Sequence, residues 1–294
     1  MLMLSGLSSC SNQGHGLATR SNNVTAQPPI PVVMTFSGTD PTGGAGVQAD
    51  IEVLASMGCH AAPVITAITA QDTHDVKAYS IVDPVLLIEQ ARAVLEDMPI
   101  AAFKIGMLGS VQIIEVIHTL LVDYPDIPVV LDPIMNAGGG GSLADDDVIE
   151  AMVPLLFPLT TVLTPNSLEA RALAPEGDNL EACAHSILEE GCEFLLVTGT
   201  HENTPYVINN LYSDGRRIES FKWERLPGNF HGSGCTLAAS IAGLLAQDLD
   251  PLTSIREAQE YTWETLKHGY RIGMGQHVPN RLYWARNQDE ETDR

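Results

Sequence analysis

From Pro31 onward, short apolar runs alternate with segments of helical periodicity. The apolar runs are rich in Val, Ile and Leu, as expected of strands buried on both faces, and they read PVVMTF, APVITAITA, AAFKIGML, IPVVLDP, TTVLTP and EFLLVTG. The periodic segments predict helices over 45–57, 84–98, 111–122, 145–156, 166–174, 179–190, 233–246 and 252–272. The alternation predicts an α/β fold, with a mostly parallel central sheet between two layers of helices.

One domain is expected over residues 31–286, because no repeat or linker interrupts the pattern. A polar hairpin that turns at Asp214–Gly215 precedes the last two predicted helices. Residues 1–30 are polar and are expected to form a disordered leader, and residues 287–294 an acidic, solvated tail.

The composition of the chain disfavours several classes of protein function. The chain has 294 residues, of which 37 are acidic and 15 basic, for a net charge of −22. Nucleic acids and anionic membranes are therefore poor partners. The five cysteines form no CxxC pair, which favours reduced thiols in the cytoplasm over a disulfide or zinc framework. No apolar run approaches the length of a membrane span.

Polar or glycine-rich segments follow six of the predicted strands. Ligands of such sheets bind beyond the carboxyl ends of the strands, so these segments are expected to build one site. They read SGTDPTGGAG, TAQDTHD, GMLGS, DPIMNAGGGGS, TPNSLE and TGTHENT.

Two glycine-rich turns, TGGAG and GSGCT, each precede a predicted helix. Such a turn presents unpaired N–H groups and the positive end of the helix dipole to an anion, although either could be an ordinary helix start. A Walker loop is excluded because none of the four lysines follows a glycine. The GxGxxG and GxSxG patterns also fail around Cys235, so a phosphate here would be held without a P-loop lysine.

Asn166 and Glu169 lie three residues apart at a predicted helix start, and Asp132 follows the neighbouring strand. Amide and carboxylate oxygens are suitable ligands for Mg²⁺. The same two residues also match a capping box, and the sequence leaves both interpretations open.

Six motifs occur in one order and spacing, namely SGTDPTGGAGVQADI, TAITAQDT, KIGML, VVLDPIM, LTPNSLEA and HGSGCTLAA. Over about residues 32–275 the chain closely resembles the hydroxymethylpyrimidine/phosphomethylpyrimidine kinases of thiamine biosynthesis, which are ribokinase-like. The resemblance implies a three-layer αβα sandwich and a homodimer that uses ATP and Mg²⁺. The implied reactions are phosphorylation of 4-amino-5-hydroxymethyl-2-methylpyrimidine and then of its monophosphate.

The resemblance also implies roles for individual residues. The pyrimidine would be bound by Gly38, Asp50, Gln71, Met107 and Ile134. The magnesium and phosphate end would be served by Asp132, Asn166 and Glu169, and the nucleotide by Asn166, Glu169, Thr198 and Gly199. The transferred phosphoryl group would be received by backbone N–H groups around Gly232, Ser233 and Gly234. Cys235 would meet the acceptor hydroxyl as a base, since a thiol at a helix start loses its proton more easily.

The chain departs from the family pattern at Thr198 to His201, where it reads TGTH and many members carry Lys-Gly-Gly-His. The segment NAGGGGS likewise lacks a Lys or Thr that many members have. Both changes remove positive charge or polarity from the presumed ATP end, so we expect ATP affinity to depend steeply on magnesium. Lys104 could reach phosphate or pair with a carboxylate.

Several alternative functions stay open. A pyridoxal kinase shares the implied fold, and the missing lysine gives some support to a non-catalytic pyrimidine-binding sensor. A sugar kinase is disfavoured by the Gln71 and Met107 surface and by the lack of an evident lid insertion. A thiol hydrolase is disfavoured because no motif places a histidine beside Cys235, and His231 is expected to face solvent.

Overall fold

The predicted alternation of strands and helices is present in the computed structural model, which describes residues 29–136 and 143–286. Its strands are β1 (Val32–Ser37), β2 (His60–Ile65), β3 (Ala67–Gln71), β4 (Val76–Ile81), β5 (Ile100–Ile105), β6 (Val129–Leu131), β7 (Val162–Leu163), β8 (Phe194–Val197), β9 (Tyr206–Ser213) and β10 (Arg216–Glu224). Its helices are α1 (Gly46–Ser56), α2 (Pro84–Asp97), α3 (Val111–Asp123), α4 (Asp146–Leu156), α5 (Ser167–Leu173), α6 (Leu180–Glu189), α7 (Ser233–Leu245), α8 (Pro251–Lys267) and α9 (Tyr283–Arg286).

The central sheet has the strand order β10-β9-β8-β7-β6-β5-β1-β2. Pairing is parallel from β2 to β8 and antiparallel for β9 and β10. The strand order reverses next to β1, and such a switch point opens a crevice at the carboxyl ends of the strands. The β9–β10 hairpin turns at Asp214 and Gly215, both at positive φ, as expected for a tight two-residue turn.

Each face of the sheet carries its own apolar core. On one face, Leu87 of α2, Ile117 of α3 and Met152 of α4 are buried against the strands. On the other face, Leu54 of α1 and Ile241 of α7 lie in a second core with residues of α8. This arrangement confirms the predicted αβα sandwich. None of the described helices is long and apolar enough to cross a bilayer.

The run APVITAITA is two strands, not the single strand that was predicted. β2 ends at Ile65, and β3 leaves the sheet to pair antiparallel with β4. The break is at Thr66, whose N–H donates to Ser37 O and whose hydroxyl donates to Met107 O. β4 reads VKAYSI and has no fully buried residue, and it lacks the continuous Val, Ile and Leu run of a strand buried on both faces. The β3–β4 hairpin stands above the carboxyl edge as a flap that the sequence did not reveal.

The last predicted helix, 252–272, ends earlier, at Lys267. The chain then returns to the first turn of α7, where Arg281 is buried. The Arg281 guanidinium donates to Thr236 Oγ1 and Glu52 Oε2, both at 3.0 Å, and to the carbonyl oxygens of Gly43 and Gly44. The C-terminal segment thus ties the start of α1 to the start of α7. The predicted leader and acidic tail lie outside the described residues, apart from 29–30.

Candidate active site

A cavity of about 820 Å³ opens at the carboxyl edge of the sheet. Most of the predicted site residues line it, namely Gly38, Gln71, Met107, Asp132, Ile134, Asn166, Glu169, Thr198, Gly232, Ser233, Gly234 and Cys235. Asp50 and Gly199 do not line it. Of the glycine-rich segment after β6, residues 137–142 lie outside the described part of the chain.

The turn before α7 presents free backbone donors to the cavity. Gly232 is the N-cap of α7 in the left-handed conformation, with φ 80°, and no side chain caps the helix. A Cβ at Gly232 would collide with Gly44 O, so this position requires glycine. The first N–H groups of α7 therefore have no side-chain acceptor, which suits an anion.

Asp132 and Glu169 bring two carboxylates into the same part of the cavity. Burial raises the pKa of Asp132 above its ordinary value, although the ammonium group of Lys104 opposes the shift. Burial, followed by repulsion from Asp132, raises the pKa of Glu169. Two buried carboxylates that repel each other form a site where a cation would be favourable.

Asp132 and Glu169 are two cavity carboxylates available to hold the expected Mg²⁺. Within the described residues, no group of three or more His, Cys, Asp and Glu side chains could enclose a metal ion. Magnesium in phosphoryl-transfer sites is commonly held by one or two carboxylates together with substrate phosphates and water. The Asp132–Glu169 pair fits that mode of binding.

Asn166 lines the cavity and caps α5, and its role as a metal ligand stays a prediction. Its side-chain oxygen accepts from Leu168 N at 2.9 Å and Glu169 N at 3.0 Å, and Glu169 Oε2 accepts from Asn166 N at 2.8 Å. This is a complete capping box, which the sequence had left open as the alternative. The cap fixes the Glu169 carboxylate at the cavity wall.

Cys235 lies in the first turn of α7 and is 6% exposed. Burial raises the pKa of its thiol to about 11; Lys104 lowers the pKa, whereas Asp132 and Asp50 raise it, and a hydrogen bond from Gly46 N–H also lowers it. The expectation that the helix start would ionise this thiol is therefore wrong, because desolvation outweighs the helix terminus. The thiol is neutral near pH 7.

Asp50 does not contact the cavity, because it is fully buried in an ion pair beneath the site. Lys104 Nζ lies 3.0 Å from Asp50 Oδ1, and both side chains are inaccessible to solvent. Ser37 Oγ donates to Asp50 Oδ2 at 2.6 Å. The predicted pyrimidine contact of Asp50 is thus wrong, and Lys104 pairs with a carboxylate.

The predicted pyrimidine end of the cavity combines one polar group with apolar cover. Gln71 Nε2 donates to Thr39 O at 3.2 Å and to Thr69 Oγ1 at 2.9 Å, so its oxygen remains as an acceptor. Met107 and Ile134 pack in one apolar cluster with Ala67 of β3. An acceptor above an apolar slot suits an amino-substituted aromatic ring.

The opposite end of the cavity is formed by the loop after β8 and by α8. Arg225 crosses this loop and donates to the carbonyl oxygens of Thr200 at 2.8 Å, Glu202 at 2.9 Å and Thr204 at 3.0 Å. Among the described lining residues, Arg225 is the one Lys or Arg side chain. Trp223 and Trp263 stack nearby, with ring centroids 6.2 Å apart.

Sequence reasoning missed a pair formed by His231 and Asp40. His231 faces inward and its Nε2 lies 2.8 Å from Asp40 Oδ2. Among the described residues, His231 Nε2 contacts Asp40, and no hydrogen bond joins it to Cys235. The site therefore lacks the Cys–His pairing of a thiol hydrolase. A separation of 191 residues hid the pair from any local motif.

Comparison with known proteins decides the family. The family model for phosphomethylpyrimidine kinase matches residues 40–280. The chain belongs to this family. It is 35% identical to a hydroxymethylpyrimidine/phosphomethylpyrimidine kinase of Synechococcus elongatus, over 86% of this chain and 98% of that protein. It is 34% identical to a thiamine biosynthetic bifunctional enzyme of Arabidopsis thaliana over 90% of this chain, and spans about half of that longer protein, 52%.

Solved structures agree with the family assignment. A phosphomethylpyrimidine kinase of Clostridium difficile superposes with a TM-score of 0.70 at 30% identity, covering 81% of this chain and all of that one, 100%. A Bacillus subtilis pyridoxal kinase in an ADP complex gives a TM-score of 0.79 at 24% identity, covering 87% of this chain and 99% of that one. The second match shows the fold alone. The family and phosphotransferase class that the sequence predicts are confirmed.

Proposed function

We propose that the protein transfers the γ-phosphoryl group of ATP to 4-amino-5-hydroxymethyl-2-methylpyrimidine, and then to its monophosphate. One observation carries the proposal: the uncapped start of α7, the Asp132–Glu169 pair and the Gln71 slot all line one cavity. The relative from Synechococcus elongatus bears the name of this activity, which supports the choice of pyrimidine.

Each end of the cavity has a separate task in this proposal. The slot of Gln71, Met107 and Ile134 would hold the pyrimidine with its hydroxymethyl group toward α7. The loop after β8 and Arg225 would hold the nucleotide. Asp132 and Glu169 would hold Mg²⁺, which when bound neutralises phosphate charge.

The N–H groups at the start of α7 would stabilise the charge that develops on the transferred phosphoryl oxygens. The transition state of phosphoryl transfer is loose, so the acceptor hydroxyl does not require a strong base. A neutral thiol at Cys235 is compatible with this chemistry, since the hydroxyl proton can leave on the transferred phosphate.

We also infer a homodimer in the cytoplasm. Ile68 of β3 and Tyr79 of β4 are 59% and 42% exposed, and such apolar side chains on a flap suit a protein interface. The four cysteines among the described residues are buried and unpaired, which suits a reducing compartment.

A coupled assay of ADP release tests the proposed function. We expect turnover with the hydroxymethylpyrimidine and with its monophosphate, and weaker turnover with pyridoxal. Asp132→Asn should abolish it, whereas Asp126→Asn, an exposed change of the same type, should not. ADP release with pyridoxal but not with either pyrimidine would identify a pyridoxal kinase, and binding of the pyrimidine without any release would identify a sensor.

A further inference from the structure

The Asp40–His231 pair joins the loop after β1 to the turn before α7. Asp40 is fully buried, and its carboxylate accepts from Thr42 N at 2.8 Å and from Ala45 N at 2.7 Å. Thr42 Oγ1 also donates to the carboxylate, at 2.8 Å from Oδ1 and 3.0 Å from Oδ2, and His231 Nε2 lies 2.8 Å from Oδ2. His231 directly precedes Gly232, so one side chain connects the buried carboxylate to the N-cap of α7.

The charge state of Asp40 defines the direction of this hydrogen bond. Burial alone would raise the pKa of Asp40, but hydrogen bonds from His231 and Thr42 outweigh it and hold the pKa below the ordinary value. The carboxylate is therefore ionised at neutral pH and acts as an acceptor. His231 Nε2 consequently donates.

The loop and the turn pack too closely for either to shift alone. A Cβ at Gly44 would collide with the imidazole of His231, and a Cβ at Gly232 would collide with Gly44 O. On the far side, Arg281 binds Gly43 O and Thr236 Oγ1. His231 N also donates to His277 O at 2.9 Å, which fixes its backbone.

We propose that Asp40 and His231 are positioning residues for the phosphoryl-binding turn, acting through Gly232 rather than on the substrate. This inference rests on the proposed function, because the turn matters only if its N–H groups receive the transferred group. Donors that stabilise a transition state must be held in place, since a displacement of about 1 Å can cost about 10²-fold in rate. The hydrogen bond supplies that constraint.

The test compares His231→Leu and Asp40→Asn with His231→Gln, whose amide nitrogen can replace Nε2 as the donor. We expect His231→Leu and Asp40→Asn to lower kcat about 10²-fold while the KM for ATP changes less than about threefold. His231→Gln should recover most of the lost rate. The double variant that combines His231→Leu with Asp40→Asn should be no slower than the slower of the two single variants, because both substitutions remove the same hydrogen bond.

His268→Asn is the matched control. His268 also lies near a carboxylate, with Nδ1 3.5 Å from Glu264 Oε2, but it does not line the cavity. The kcat of His268→Asn should equal that of the wild type. Multiplicative losses in the double variant, or equal losses in His231→Gln and His231→Leu, would overturn the inference.

A second measurement separates this inference from the proposed function. Amide hydrogen exchange over residues 229–236 requires no substrate, and it should be faster in His231→Leu and Asp40→Asn than in the wild type and His231→Gln. Unchanged exchange overturns the positioning role, whatever the activity. Faster exchange in a protein that does not phosphorylate the pyrimidine would support the positioning role and contradict the proposed function.

Discussion

Glu169 shows how one residue can serve both the fold and the site. Its carboxylate closes the capping box of α5, yet it is 7% exposed and faces the buried Asp132. Burial, with repulsion from Asp132, raises its pKa to about 8. The folded protein therefore holds a proton at Glu169 that the unfolded chain releases near pH 4.5.

Replacing Glu169 by Gln tests this arrangement through stability. Because the pKa of Glu169 is higher in the folded protein than in the unfolded chain, the contribution of Glu169 to the free energy of unfolding falls as the pH rises from about 4.5 to about 8. Gln imitates the protonated acid, so Glu169→Gln should gain stability relative to the wild type across that window. Thermal denaturation at about pH 5, 6.5 and 8 measures the difference in Tm. A difference that is the same at all three values would contradict the raised pKa.

An aspartate at the position of Cys235 would bring a carboxylate in place of the neutral thiol. The second acceptor in the proposed function already carries a phosphate, and a fixed carboxylate would repel it by about 1–4 kcal/mol at ~4 Å. The neutral thiol avoids that repulsion. We therefore expect Cys235→Asp to lower kcat/KM for the monophosphate about tenfold more than for the alcohol.

Cys235→Ser is the neutral comparison, and it should affect the two acceptors alike. Steady-state rates with each acceptor provide the measurement. Equal losses for both acceptors in Cys235→Asp would show that charge at this position does not select the substrate.

At the scale of elements, the sequence predicted every strand of the parallel sheet and the helices α1 to α8, because buried strands and amphipathic helices carry strong periodic signals. It missed β4, in which four residues are exposed and none is fully buried, and it joined β2 to β3. Both errors concern the flap, whose position depends on contacts at Thr66 rather than on periodicity.

The candidate site was predictable where a motif is local and not where partners are distant. The turn Gly232–Cys235 and the Asn166–Glu169 cap are continuous in sequence, and the structure places them in the cavity. The Lys104–Asp50 and His231–Asp40 pairs link segments 54 and 191 residues apart, so no spacing in the chain reveals them. Burial likewise decided the pKa of Cys235, and burial is a property of the fold.

The loop after β8 depends on one side chain from the end of β10. Arg225→Gln removes the hydrogen bonds to three loop carbonyl oxygens. It also removes a positive charge from the cavity wall, where Arg225 is the one Lys or Arg among the described lining residues. We expect the KM for ATP to rise about tenfold with a smaller effect on kcat.

Arg171→Gln is the control for Arg225→Gln. Arg171 holds the same loop from outside through Glu202, at 2.8 Å, but does not line the cavity. It should leave the KM for ATP nearly unchanged. An equal rise in both variants would mean that loop order, rather than the charge of Arg225, sets the affinity.

For the whole molecule, the net charge of −22 opposes the binding of a polyphosphate. The described cavity wall offers one Arg, two helix starts and a carboxylate pair suited to a divalent cation. Nucleotide binding in the proposed function should therefore depend steeply on free magnesium. A binding curve for ATP that is flat across the millimolar range of magnesium would contradict this view.

Adding a cation at the nucleotide end should relax the dependence on magnesium. Thr198 is half-buried in the cavity wall after β8, so Thr198→Lys places an ammonium group beside the expected phosphates. We expect the KM for ATP to fall about fivefold at low magnesium and little at saturating magnesium, since the two cations neutralise the same charge. Thr119→Lys makes the same change of net charge at an exposed position of α3 and should have no such effect. If both variants lowered the KM alike, the limit on ATP binding would be the overall charge of the protein and not the local one at β8.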